Sequence, residues 1–425
     1  MLHANDERIR PLLLKGNFGL ERESLRIVEG GYLAHSPNPF GAEGHIVRDF
    51  SENQTEINTG ISPTPAQAVA EVAQYDAVIQ KTLAAQQPRE YLWPFSNPPY
   101  ILNEEDVPIA QFEGADAEKT AYREYLSDRY GRYKMTFSGI HFNYSFADEL
   151  LQADFALSGE QDFVAYKDKL YIQLAERAVA YGWIMTAVTA ASPVMDSSYV
   201  EEGKLGTDLF QGFASVRCSE LGYWNVFAPI LDYSSVAAYA DSIQRYLDKG
   251  LIRQPSELYY PIRIKPRGAY GLEALRQGNV SHIELRMFDL NPLYPAGINE
   301  ADVFFAQLLL VWLASTPAQP FTERDQVQAV QNFKNAARFD LRTAKIVVPN
   351  GEIYPVYKAA LNVIGFMEDF YQGFPAEVQE CIAFQKRKFT DQKATYAWQV
   401  RERYGTDYVN SGCTLAKENQ QRATL

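Results

Sequence analysis

From Ser138 onward the stretch Thr136–Phe146, TFSGIHFNYSF, alternates with a period of two. Ile140, Phe142, Tyr144 and Phe146 fall on one side, and Gly139, His141, Asn143 and Ser145 on the other. The pattern predicts a β-strand with one face in a core. Its polar face displays a histidine and an asparagine one pleat apart, an odd pair to present unless something binds there. Three further strand-like stretches share the habit: Gly19–Ile27 (GLERESLRI), Asp49–Ile57 (DFSENQTEI) and His282–Pro292 (HIELRMFDLNP). Each sets charged groups at i and i+2 or i+4, hence on one face of a strand. The four stretches are expected to build one site, with the rest of the chain holding them in place.

Elsewhere the periodicity is mostly helical. Ser62–Pro65 (SPTP) predicts a helix start with Thr64 as N-cap and Pro65 at the first helical position. An apolar stripe follows at Val72, Tyr75, Ile79 and Leu83. Lys119–Arg132, Gln161–Ala191 and Ser234–Lys249 read as helices, and Leu258–Lys265 (LYYPIRIK) as a strand. From about Ala301 the chain is predominantly helical. It includes a charged amphipathic segment at Ala376–Arg403 and what reads as a frayed tail after Val409. Strand runs cluster with hairpin-like connections instead of alternating with helices, which predicts an α+β fold on a mostly antiparallel sheet. No linker or repeat interrupts residues 1–425, so a single domain with a helical C-terminal part is expected.

Composition narrows the partners. With 46% hydrophobic and 13% aromatic residues the chain supports a sizeable core. A formal charge of −13 argues against a nucleic-acid or anionic-membrane surface. Three cysteines, Cys218, Cys381 and Cys413, are widely spaced and form no CxxC pair, which disfavours a disulfide scaffold or zinc site and fits a reducing cytoplasm. The N-terminus lacks the apolar run of a signal peptide. The greasiest segment, Val303–Ala314, falls well short of the ~20 residues that cross a bilayer. A cytoplasmic protein with small-molecule partners is expected.

Glu21 and Glu23 flank Arg22 and share a strand face. Glu52 and Glu56 share another if the Asp49–Ile57 stretch is extended throughout, and Glu284 and Arg286 share a third with His282 beside them. Carboxylates forced together raise one another's pKa unless cations neutralise them. Oxygen-rich clusters suit Mg²⁺ or Mn²⁺ held together with substrate phosphates, and His141 adds a nitrogen ligand at the edge. Arginines among the acids suit an anionic substrate, and metal-bridged nucleotide phosphates fit both features. Any one acidic pair is more often a solvated face, a lone histidine more often structural, and Arg217 by itself a surface arginine. Their joint occurrence carries the expectation. The sequence contains no GxxxxGK[ST] loop, no GxGxxG after a strand, no HExxH and no GxSxG. No base stands near Cys218 to make it a nucleophile.

These residues resemble the bacterial glutamate–cysteine ligase (γ-glutamylcysteine synthetase) family. GLERESLR, DFSENQTE, WPFSNPPY, YREYLSDRYG, SGIHFNYSF, ASVRCSELGY, LYYPIRIK and HIELRMFDLNPL follow in the family's order between Lys15 and Pro317. The C-terminal hundred or so residues match poorly, and with no ATP-grasp-like domain following, the fused enzyme that also makes glutathione is not expected. The resemblance implies a glutamine-synthetase-like carboxylate–amine ligase fold, whose curved sheet cradles ATP and Mg²⁺ (or Mn²⁺). It also implies the reaction: ATP phosphorylates the γ-carboxylate of L-glutamate, and the amine of L-cysteine displaces the phosphate. Glu21, Glu56 and Glu284 are implied as one magnesium set, and Glu23 and His141 as ligands of the others, with Glu52 and Asp49 close by. Arg217 is implied to hold a substrate carboxylate, Arg286 to stabilise the transferring phosphoryl group, and Asn143 to contact glutamate. Phe50, Tyr122, Leu126, Tyr223 and Tyr259 look like the cysteine pocket. Such a pocket discriminates a thiol from a hydroxyl by ~1–3 kcal/mol at most.

One position departs from the family pattern. Met135 stands where the relatives carry a glutamine that contacts substrate, and a thioether cannot donate a hydrogen bond. Met135 is expected on the strand face of His141 and Asn143. A γ-glutamyl ligase using another amine therefore stays open beside the glutamate–cysteine ligase, as does a non-catalytic nucleotide-binding relative. The set Glu21, Glu23, Glu56, His141, Glu284 and Arg286 speaks against the last, since a dead site has no physical need for so many clustered charges.

Overall fold

The longest strand, β1 (Gly16–Ile27), runs through the interior of a seven-stranded sheet. The computed structural model describes residues 1–41, 44–268, 271–317 and 319–424. The other strands of the sheet are β2 (Ile46–Arg48), β3 (Gln54–Asn58), β4 (Tyr91–Leu92), β5 (Gly139–Phe146), β8 (Ile262–Pro266) and β9 (Val280–Asp289). Their order is β2-β3-β1-β5-β9-β8, with β4 paired to the end of β1. A small separate pair is formed by β6 (Met195–Asp196) and β7 (Asp208–Leu209). Every pairing in the main sheet is antiparallel, and its two edges do not meet, so the fold is the expected α+β type.

One face of the sheet is core. Phe18, Leu20, Ile57, Ile140, Phe142, Tyr144, Ile264, Ile283 and Leu285 are all buried there. Helix α1 (Pro65–Ala84) covers β1 and starts as the sequence predicts, with Thr64 accepting the Gln67 N–H at 3.2 Å and Pro65 in the first turn. Arg22 points from β1 into this core and pairs with Asp76 of α1. Helices α2 (Ala117–Tyr130) and α3 (Asp148–Ser158) flank β5 in sequence. The helical region expected over Gln161–Ala191 holds two helices, α4 (Phe163–Tyr181) and α5 (Trp183–Thr189). They break at Gly182, where a Cβ would meet the Ala178 carbonyl and the Phe333 ring. Both pack on β9.

After α6 (Val236–Asp248) and α7 (Leu272–Arg276), α8 (Glu300–Ser315) carries the greasiest run of the sequence and is buried from Val303 to Ala314 except at the half-buried Phe304. Among the described residues no helix is long and apolar enough to cross a membrane. Helix α9 (Glu323–Ala336), the hairpin β10 (Lys345–Val347) and β11 (Ile353–Pro355), then α10 (Val356–Phe370), α11 (Ala376–Thr390) and α12 (Tyr396–Tyr404) complete the helical part. Asp302 of α8 and Lys388 of α11 form a buried ion pair at 3.2 Å, with Gln385 and Tyr396 also donating to Asp302.

The frayed tail expected after Val409 is instead a docked helix, α13 (Tyr408–Thr424). Its Gly412 lies against Trp93 and Phe95, where a Cβ would run into the indole. Tyr408 donates to the Asn97 carbonyl at 2.8 Å, and Gln420 to the Glu90 carbonyl at 2.7 Å. The small and polar residues that made this segment read as a tail are the ones that let it approach a buried tryptophan.

Candidate active site

The polar face of the sheet collects the charged residues through its register. Glu21 lies opposite His141, Glu23 opposite Glu56, and Glu284 opposite both Asn143 and Arg263. Directly opposed residues share a face, so five strands deliver their side chains to one place. His141 Nδ1 is 2.8 Å from Glu21 Oε2 and 3.9 Å from Glu284 Oε1, and its Nε2 is 3.7 Å from Glu23 Oε1. Asn143 donates to Glu21 Oε1 at 2.9 Å. Arg286 and Lys265 reach Glu284 Oε1 at 3.1 and 3.2 Å.

The carboxylates divide into two electrostatic classes. Burial alone would raise Glu284, but Arg286, Lys265, Arg263 and His141 hold it well below the usual carboxylate range. Glu21 is desolvated too, yet its hydrogen bond to His141 brings it down to about 2. At Glu23 and Glu56 the nearby cations are outweighed. Burial first, then the charge of Asp49, pushes both up, and Glu21 and Glu23 add to the push at Glu56. Arg286 is driven the other way: burial opposes its charge, but Glu284, Glu21 and Glu23 raise its pKa and keep it protonated.

Over this face lies a cavity of about 260 Å³. Of the residues expected in a site, Glu21, Glu23, Asp49, Phe50, Glu56, Tyr122, Leu126, His141, Arg217, Tyr223, Tyr259, Glu284 and Arg286 all line it. Arg217 comes from the loop after β7 and crosses Gly139, donating to the Arg286 and Phe288 carbonyls at 3.1 and 3.3 Å. A Cβ at position 139 would collide with its guanidinium. Tyr223 and Tyr259 pack with ring centroids 4.0 Å apart and planes tilted by 47°, forming an aromatic wall.

Three expectations need correction. Glu52 does not share a face with Glu56, because Ser51–Asn53 form a turn and β3 begins only at Gln54. Its carboxylate accepts from Arg48 at 2.6 Å and from the Gln111 N–H at 2.8 Å, away from the cavity. Asn143 is not among the lining residues; it stands behind Glu21 as a donor to it. Met135 does line the cavity, but from a 3-10 turn (Tyr133–Thr136) before β5 rather than from the strand, with its sulfur 2.8 Å from the Tyr223 hydroxyl. Cys218 is buried, and burial pushes its thiol up to about 11, so it is no thiolate.

Lys134, Phe137, Ser256, Arg263 and Lys265 also line the cavity and were missed. Arg263 and Lys265 were legible: they alternate with Ile262 and Ile264 in PIRIK as the charges do in HIELR. Lys134 and Ser256 lie in turns whose course no local pattern reveals.

A divalent cation fits this donor set. Glu21, His141 and Glu284 offer ligand atoms within 4.8 Å of one another, and Glu284 Oε2 is buried with no hydrogen-bond partner. Carboxylate oxygens with one imidazole suit Mg²⁺ or Mn²⁺ better than thiolate-seeking metals.

The family model for glutamate-cysteine ligase matches residues 2–249 and 224–336. The glutathione biosynthesis bifunctional protein GshAB of Listeria monocytogenes is 32% identical over 98% of this chain and 57% of its own length. Its counterpart in Clostridium perfringens is 33% identical over 81% of this chain and 46% of its own. The chain thus spans about half the length of the curated relatives it matches. The likeness also runs well past Pro317, where the block-by-block resemblance stops. Among solved structures, the bifunctional glutathione synthetase of Pasteurella multocida superposes with a TM-score of 0.84 at 25% identity, covering 99% of this chain and 54% of that one. The glutamate–cysteine ligase of Francisella tularensis, solved with AMP, gives 0.85 at 24% identity over 96% and 89%.

Proposed function

The chain belongs to the glutamate–cysteine ligase family, and from that premise we propose that it ligates the γ-carboxylate of L-glutamate to the amine of L-cysteine at the expense of ATP. The observation that carries this is the meeting of Glu21, His141 and Glu284 with Arg286 and Arg217 in one cavity. An acid cluster without fixed cations would repel a phosphorylated substrate, and cations without the acids would leave nothing to hold a metal.

In the first step a γ-carboxylate oxygen of glutamate bonds to the γ-phosphorus of ATP, and ADP leaves. In the second the amine nitrogen bonds to the acyl carbon, inorganic phosphate leaves, and the nitrogen loses its proton. Mg²⁺, when bound, supplies charge neutralisation on the phosphate oxygens. Glu21, Glu23, Glu56, His141 and Glu284 would hold it, with Asp49 beside them. Arg286, fixed by Glu284 and kept charged, stabilises the charge that develops on the phosphoryl oxygens without having to reorganise, as water would. Arg217, anchored on two backbone carbonyls, offers the rest of its guanidinium to a substrate carboxylate. Phe50, Leu126, Tyr122, Tyr223 and Tyr259 form the wall against which the acceptor amino acid packs.

A second acceptor deserves a place because of Met135. Its thioether takes the Tyr223 hydroxyl as donor, so neither group is free to contact substrate in the way an amide would. The test is ADP release with ATP, Mg²⁺ and L-glutamate across a panel of amines that includes cysteine and 2-aminobutyrate. Cysteine-dependent release, with a γ-linked dipeptide by mass spectrometry, supports the leading function. Preference for another amine keeps the mechanism and changes the product. No release with any amine, ATP still being bound, refutes ligase activity.

A further inference from the structure

Asp289, the last residue of β9, is 2% exposed and lies outside the cavity lining described above. Strict alternation from Glu284 and Arg286 would send it into the core with Ile283 and Leu285. The pairing of β5 with β9 shows why it goes elsewhere. Ile140 faces Phe288 while Phe142 faces Leu285, so β9 holds one residue more than β5 across this interval, a β-bulge. The bulge resets the phase: Phe288 packs on Phe142 in the core, and Asp289 falls opposite Gly139, on the face of the site.

There its carboxylate is fully engaged. Oδ2 accepts from Ser192 Oγ at 2.7 Å and from the Ala191 N–H at 2.9 Å, and Oδ1 accepts from Ser215 Oγ at 2.9 Å. Ser215 Oγ in turn accepts the Cys218 N–H at 3.0 Å. The turn Ser215–Cys218, which carries Arg217, is therefore closed by one hydroxyl, and that hydroxyl is held by Asp289. The turn's backbone also bonds to Ser192 and Ala337, but these belong to other loops. Apart from the bonds of Arg217 itself and a contact of Cys218 Sγ with the Met287 carbonyl, the Asp289–Ser215 link ties the turn to β9. That strand also bears Glu284 and Arg286.

We propose that Asp289 is a positioning residue for Arg217, fixing through Ser215 the distance between the carboxylate-holding arginine on the loop and the phosphoryl-stabilising arginine on the strand. This rests on Arg217 having the role proposed above. The Asp289 carboxylate touches no substrate. It keeps the Ser215–Cys218 turn from sliding along β9.

The test uses Asp289→Asn and Ser215→Ala, each alone and combined with Arg217→Lys. Asn keeps the shape of Asp289 but puts a donor where one of its three donors must be received; Ser215→Ala removes the relay with little risk to folding. Both are expected to raise KM for one of the two amino acids by ~10–100-fold, the range for supporting hydrogen-bond partners of a site, with KM for ATP unchanged. Combined with Arg217→Lys, neither should add a further loss of comparable size. Losses that multiply across the double variants, or a fall in kcat with every KM unchanged, would mean a role in folding alone and overturn the inference. A crystal structure of Asp289→Asn supplies a readout independent of activity: the Arg217 guanidinium should leave the Arg286 and Phe288 carbonyls, and its staying there is refutation. If the wild-type protein releases no ADP, ligase function fails by itself, and the position of Arg217 in that crystal structure still decides the positioning role.

Discussion

Replacing Gly139 by alanine adds one methyl group at the centre of the sheet, where alanine is otherwise the better strand residue. Here it lands on Arg217. An ideal Cβ would sit closer than 3.0 Å to the guanidinium carbon and two of its nitrogens. Ordinary carbon contacts need ~3.5–4.0 Å, so the group has to retreat by on the order of 1 Å. It cannot do so and keep its bonds to the Arg286 and Phe288 carbonyls, at 3.1 and 3.3 Å. A misplacement of that size costs ~100-fold in rate, equivalent to ~2.7 kcal/mol of transition-state stabilisation. The assay is steady-state ADP release with thermal unfolding of both proteins in parallel. A ~100-fold drop in kcat/KM with little change in Tm is the expected result. Gly139→Ala retaining activity within a factor of about three would show that Arg217 need not lie where it does, and the geometry proposed for the site would be wrong.

Glu284→Gln removes the carboxylate around which Arg286, Lys265 and His141 gather; ADP release should fall to background, and retained turnover would remove Glu284 from the mechanism. Because Glu23 and Glu56 are crowded by Asp49, binding of Mg²⁺ with ATP should raise Tm, by the equivalent of ~2.7 kcal/mol at a hundred times Kd; identical melting in chelator and in Mg²⁺–ATP refutes the metal assignment. Lys388→Met leaves Asp302 buried without its cation and should cost ~3–5 kcal/mol in denaturant unfolding, with the double variant Lys388→Met/Asp302→Leu recovering most of it. Burial pulls the Lys388 ammonium from 10.5 down to about 8. Between those values the unfolded chain binds the extra proton, so wild-type stability relative to Lys388→Met should rise as pH climbs from 8 toward 10.5; a flat difference across that window contradicts it.

The charged strands were legible because two-residue alternation is a local property. Glu21, Glu23, His141, Glu284 and Arg286 could be assigned to faces before any partner strand was known, and their pairing follows from the register that buries Phe142 and Leu285. What was not legible depends on departures from regularity. Glu52 reads as a neighbour of Glu56 because nothing in SENQ announces a turn, and the Arg48 side chain that claims its carboxylate lies four residues upstream. Met135 reads as part of a strand that begins only at Gly139. Helix α13 was lost because its buried stripe contains Gly412 and Gln420, which read as polar tail until Trp93 and Glu90 are brought against them. Asp289 was invisible for the same reason: its face depends on one surplus residue, and no residue type marks where a strand will bulge.

That surplus residue makes the tolerance of β9 to length the reverse of an ordinary strand's. The strand changes side-chain phase between Leu285 and Phe288, so it behaves as two half-strands joined out of step. Shortening it by one position, at Met287, alters no charge and removes no residue named in the mechanism. It takes out the surplus, and strict alternation from Arg286 then carries the Phe288 ring to the core and the Asp289 carboxylate to the face of the site, where the bulge already sends them. Straightening the strand at full length is the frame error. It would turn the Phe288 ring toward the substrates and the Asp289 carboxylate into hydrocarbon, and the half of β9 that carries Glu284 and Arg286 would go on looking intact while the loop bearing Arg217 had lost its mooring.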